Sequence, residues 1–204
     1  MGRIAAIRSD GHLTEAAVTV LHAVSGVRKD LLRSARVRPA SSNWLHAPWY
    51  GYARGGALTM GRSIYFTRRY FDPNALADGS IASTWAWLKL LAHEVGHLPQ
   101  AEHYGFHPLG IARYLAAFTA QYGSRAISFQ KNVHDGAELE IEADKGRWVL
   151  MQLVPSEPTL HPLVEAVHND DSLTAENWCN VQRKQLENLL WRYSSERRTA
   201  SSAG

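Results

Sequence analysis

Cysteine is nearly absent from this 204-residue chain, with Cys179 the only one. A single thiol makes no internal disulfide and no multi-cysteine zinc site, which excludes a stapled secreted scaffold and a four-thiolate zinc fold. Cys179 itself has no basic or metal-ligand motif beside it and reads as a buried, inert thiol. Long apolar runs are also missing. No window approaches the about 18 apolar residues that a membrane-spanning helix needs, so no stable membrane insertion is expected. The opening MGRIAAIRSD has an apolar run of only four residues, Ile4 to Ile7, before Arg8, Ser9 and Asp10, too few for the core of a cleavable leader. Charge of one sign is scarce as well. Lys plus Arg total 22 against 19 Asp plus Glu, a net +3, which calls for no nucleic-acid partner. With 45% hydrophobic and 20% charged residues the composition excludes a disordered polymer, a collagen-like repeat and an acidic activator. What remains is one globular domain over residues 1–204. Histidine, by contrast, is plentiful at ten residues, so imidazoles must do any metal chemistry.

The pattern along the chain predicts an α+β, mainly helical fold. Thr14 is an acceptable N-cap for a helix to about Val24, which Ser25-Gly26 ends. Residues 38–56 hold prolines, glycines and Trp44, Trp49, Tyr50 and Tyr52, and read as an ordered irregular loop. From Ala57 to Phe66 the chain alternates, with Leu58, Met60, Ile64 and Phe66 on one face, and reads as a half-buried strand in which Arg62 is the misfit. The run from Ile81 to Leu98 is apolar nearly all round and predicts a buried helix stopped by Pro99. Further helices are expected over about 108–122, 135–153 and 174–193, followed by a frayed polar tail at 194–204.

The chemistry concentrates in His93-Glu94-Val95-Gly96-His97. Two imidazoles four positions apart on a helix share one face and can grip one Zn²⁺ at about 2.0–2.1 Å. Glu94, turned about 100° away, is placed to act as a general base on a water beside the metal. The segment Glu138-Leu139-Glu140-Ile141-Glu142-Ala143-Asp144 supplies acids. Projected at 100° per residue, Glu140 and Asp144 fall in the sector of Ala137, Ile141, Trp148 and Met151, while Leu139, Ala143, Gly146, Leu150 and Leu153 form a second apolar sector. Glu138 and Glu142 share the polar side. An inward carboxylate needs a partner or a metal, so Glu140 is the expected third ligand and Asp144 the group that orients a ligand imidazole. His103 competes for the third place, ten residues after His93 as in the metzincin spacing, but Gln100 stands where that pattern has glycine.

His93 to His97 followed by Glu140 within E-I-E-A-D resembles the gluzincin branch of the zincin metallopeptidases. Over about residues 55–150, the series GGALTMGRSIYF, LLAHEVGHLPQ and EIEAD is similar to the small zincin-like domains of bacterial polymorphic toxins and type VI secretion effectors. The resemblance implies a zincin-like fold with a small sheet whose edge strand precedes the metal helix and pairs with an extended peptide substrate. It also implies His93, His97 and Glu140 as zinc ligands, Glu94 as catalytic base and Asp144 behind them. The expected partners are a peptide or protein substrate, a secretion apparatus and a cognate immunity protein. The expected location is the producer's cytoplasm, with delivery into a target cell. A zinc-stabilised pseudoenzyme or binding module and a cytosolic regulatory protease are the alternatives. For oxyanion stabilisation Tyr104, Tyr114, Tyr122 and His134 are the candidates.

Overall fold

The computed structural model describes residues 4–40, 56–127, 138–154 and 158–201. Thr14 caps the first helix, α1 (Glu15–Ser25), by accepting from the Ala17 N–H, and Gly26 ends it at φ 75°, a left-handed conformation that costs glycine nothing. Between those caps Ala16, Ala17, Val18, Val20 and Leu21 are fully buried. The chain continues through α2 (Lys29–Ser34), β1 (Arg36–Pro39), β2 (Ala57–Met60), β3 (Ser63–Phe66), α3 (Ile81–Glu94), α4 (His97–Tyr104), α5 (Pro108–Ile127), α6 (Glu138–Leu153), α7 (Pro162–His168), α8 (Ser172–Val181) and α9 (Arg183–Ser201). The α+β, mainly helical character is therefore as expected. α1 lies at the centre, with α3, α6, α7 and α8 packed round it.

The three strands form one sheet in the order β1-β3-β2, with β3 parallel to β1 and antiparallel to β2. The single strand expected over 57–66 is thus a hairpin. Gly61, at φ 59°, takes the first place of a two-residue loop, where positive φ matches the twist of the flanking strands. Arg62 is the other loop residue, which explains why it broke the alternation. The tight loop pairs Thr59 with Ile64 and Ala57 with Phe66, so odd positions of β2 share a face with even positions of β3. Thr59, Ile64 and Phe66 are buried, while Leu58 and Met60 are only half-buried. Among the described residues β2 is one of the two edge strands, beside β1 at the other edge, and it precedes α3, which carries His93, as expected. Thr59 in it is 2% exposed, while Ala57, Leu58 and Met60 are half-buried.

Pro99 does not stop the helix. It is the third residue of α4, a first-turn position whose N–H has no helical acceptor to lose. The interruption falls earlier, at Val95 and Gly96, whose φ, ψ of −66°, −22° and −62°, −24° stay right-handed, and the Gly96 N–H bonds the His93 carbonyl. Near the C-terminus the expected helix 174–193 divides at Gln182 into α8 and α9, and α9 extends into the supposed tail as far as Ser201. An Arg192–Glu196 pair one turn apart and hydroxyl bonds from Ser194 and Ser195 to the preceding turn support that extension. On α6 the buried face is Ala143, Val149, Leu150 and Leu153, whereas Met151 is half exposed, so the second of the two apolar sectors faces the core. The predicted start of that helix at 135–137, and Trp44, Trp49, Tyr50 and Tyr52, lie outside the described residues.

Candidate metal centre

Small residues bring the helices that carry the site to backbone contact. A Cβ placed on Gly96 would lie 2.5 Å from Ala143 Cα and O, and one on Gly146 would lie 2.5 Å from the Ala92 carbonyl oxygen. Neither position accepts a larger residue unless the helices part. Glu140, one turn before Ala143, is thereby pressed against the end of α3. His93 in the last turn of α3 and His97 at the start of α4 keep the one-face relation across the interruption, with ring centroids 5.3 Å apart.

His93 Nε2 lies 3.2 Å from Glu140 Oε2, and His97 Nε2 lies 3.8 Å from Glu140 Oε1. One donor atom from each of the three residues falls within 4.8 Å of the others. Tetrahedral donors bonded at 2.0–2.1 Å are about 3.4 Å from each other, so the triad has the span that one metal ion requires. The far ring nitrogens are already engaged. His93 Nδ1 is 3.1 Å from Asp144 Oδ1, as the sequence led us to expect, and Asp144 is in turn held by Arg147 Nε at 2.6 Å. His97 Nδ1 is 2.9 Å from Gln100 Oε1, and the Gln100 amide donates to the Leu139 carbonyl at 2.8 Å. That second bond fixes which end of the amide faces the imidazole. His97 Nδ1 must then carry the hydrogen, which leaves Nε2, the nitrogen 3.8 Å from Glu140 Oε1, as the one that can bind a metal.

Gln100 was visible in the sequence only as a departure from another motif, although a residue three positions after His97 on a helix is its neighbour. Asp144→Asn and Gln100→Ala should each weaken metal affinity about 10- to 100-fold, as partners of ligand histidines usually do. Competition with a coloured chelator measures the change.

Burial alone would push the His93 imidazole down. The hydrogen bonds that the imidazolium donates to the Asp144 and Glu140 carboxylates, with the charge of Glu94, outweigh it and hold the group at about 9 in the metal-free protein. The folded value exceeds the ordinary 6.5, so this ionisation stabilises the metal-free fold fully below pH about 6.5 and loses its effect as pH rises through about 9. The melting temperature of the metal-free protein should fall across that window. Metal binding at pH 7 should displace the His93 proton, so that its calorimetric enthalpy varies with the ionisation enthalpy of the buffer.

Glu94, 8% exposed, stands beside the triad and accepts a hydrogen bond from Thr59 Oγ1 at 2.9 Å. Of the aromatic candidates, Tyr104 and Tyr114 are neighbours with centroids 5.9 Å apart. Tyr114 is 2% exposed, and burial together with the charges of Glu94 and Glu140 pushes its phenol up. It remains a hydrogen-bond donor at neutral pH. The Tyr122 side chain and His134 lie outside what is described. His103 is exposed against the ring of Tyr104 and is not in the triad. Burial also pushes the Cys179 thiol up, to about 11, in keeping with an inert role. A cleft of about 580 Å³ reaches Gln100, Glu142 and Tyr193 but none of the triad; it lies behind the centre. No helix among the described residues is long and apolar enough to cross a membrane. No family model, curated protein or solved structure matches this chain.

Proposed function

We propose that this protein is a zinc-dependent peptidase. The observation that carries the reading is the convergence of one ligand atom each from His93, His97 and Glu140 within 4.8 Å of one another, with the buried Glu94 next to them. Two imidazoles and one carboxylate suit zinc and leave a coordination place open. Zinc held there would polarise a carbonyl and acidify a water. Glu94 accepts the proton that the water gives up as its oxygen bonds the peptide carbonyl carbon. It then passes that proton to the amine nitrogen as the C–N bond breaks. Of the candidates described, the Tyr114 phenol is the one on which the charges of Glu94 and Glu140 act, and it is assigned as donor to the oxygen on which negative charge develops. Asp144 and Gln100 keep the two imidazoles aimed throughout.

The resemblance to effector zincins supports a further reading, that the domain is delivered into a competing or host cell and restrained in its producer by an immunity protein. One experiment addresses both proposals. Zinc-loaded protein should cleave quenched fluorescent casein, a chelator should stop it reversibly, and Glu94→Gln should keep its zinc while losing about a hundredfold or more in rate. The same pair, expressed in the cytoplasm and, behind a leader, in the periplasm of a susceptible bacterium, should give growth arrest with wild type alone. Cleavage without toxicity would leave a housekeeping peptidase. Zinc bound without cleavage, with Glu94→Gln indistinguishable, would leave a metal-stabilised binding module.

A further inference from the structure

We propose that Thr59 is a positioning residue that holds the Glu94 carboxylate in the orientation the reaction uses. The inference rests on the peptidase reading and deepens it at the same site. Glu94 is the last residue of α3 and is 8% exposed, so its carboxylate depends on protein donors. Thr59 Oγ1 supplies one, 2.9 Å from Oε2 and 3.2 Å from the Glu94 carbonyl oxygen. A hydroxyl has one hydrogen, and the nearer, charged acceptor takes the larger share of it.

Thr59 is itself well anchored. It is 2% exposed, paired with Ile64 across the hairpin, and branched at Cβ, which restricts its χ1. The two-residue loop at Gly61-Arg62 decides that Thr59 faces α3; a shift of one residue in the pairing would present Leu58 or Met60 there instead. The sheet therefore reaches the base through the Thr59 hydroxyl. Thr59 engages Oε2 and leaves Oε1 for the proton.

Two measurements test this. With ¹³C at the glutamate carboxyl carbons, the Glu94 resonance is the one lost in Glu94→Gln. It should shift in Thr59→Val and keep its place in Thr59→Ser, with or without zinc. On quenched fluorescent casein, the zinc-loaded Thr59→Val protein should lose about 10- to 100-fold in kcat with apparent KM changed by less than about threefold, and Thr59→Ser should stay near wild type. Both should hold as much zinc as wild type. If Thr59→Val fails to fold, Thr59→Ala carries the same expectations. Wild-type kcat and an unmoved resonance in the variants lacking the hydroxyl would overturn the inference and leave the peptidase reading standing. Equal losses in Thr59→Val and Thr59→Ser with lowered melting temperatures would assign the hydroxyl to folding and overturn it too. A wild type no more active than Glu94→Gln would overturn the peptidase reading and this inference with it.

Discussion

Glu140→Ala should empty the metal centre, while His103→Ala should leave it loaded. Both residues compete for the third ligand place in the sequence, but only Glu140 brings its oxygens to 3.2 and 3.8 Å from the two histidine Nε2 atoms. His103 is one turn and a half further along α4, exposed, with its ring against Tyr104. The binding free energy of structural zinc sites, about 10–16 kcal/mol over four ligands, is about 2.5–4 kcal/mol per ligand. Loss of one ligand therefore corresponds to about 10²- to 10³-fold in affinity. The charged ligand belongs at the upper end, because its removal leaves a dication facing two neutral imidazoles. Chelator competition and the metal content after gel filtration report the difference. Full loading of Glu140→Ala together with loss in His103→Ala would replace this triad by a three-histidine centre.

The parts of the site that one helix dictates were legible in the sequence. Spacing alone put His93 and His97 on one face, and the inward acids of α6 pointed to Glu140 and Asp144. The caps of α1 were readable for the same reason, since Thr14 and Gly26 act within one turn. What stayed hidden depends on how elements meet. Thr59 reaches Glu94 because a two-residue loop reverses the strand's parity, and an alternation read as one strand assigns Thr59 to the wrong face. Pro99 reads as a stop, yet after the interruption at Gly96 it lies in a first turn, where proline is tolerated. Gln100 looked like a missing glycine because its function needs the Leu139 carbonyl, 39 residues further along the chain. On α6 the acids border the apolar sector that packs rather than lie within it. Hydrophobic periodicity fixed the faces of α6 but not which of its two apolar sectors meets α3.

Gly96→Ala should damage the fold and the metal centre together, although it adds one methyl group and removes no ligand. At most helical positions that exchange is favourable by about 1 kcal/mol, and Gly96 has a φ of −62°, which any residue adopts. Conformation therefore does not require glycine here; proximity does. The added Cβ would meet Ala143 Cα and O at 2.5 Å, and these are backbone atoms of a helix that cannot turn aside like a side chain. To reach ordinary contact, α6 must retreat by about 1 Å, at a cost of about 2–3 kcal/mol from overpacking. The same retreat carries Glu140 away from His93 and His97, stretching donor separations that now match one ion. Gly146→Ala meets the Ala92 carbonyl oxygen at 2.5 Å but lies nearly two turns beyond Glu140. It should cost comparable stability with a smaller loss of affinity. Chemical denaturation of the metal-free variants, set beside chelator competition, separates the two effects. Wild-type affinity in Gly96→Ala would mean that Glu140 is not held in place by this contact.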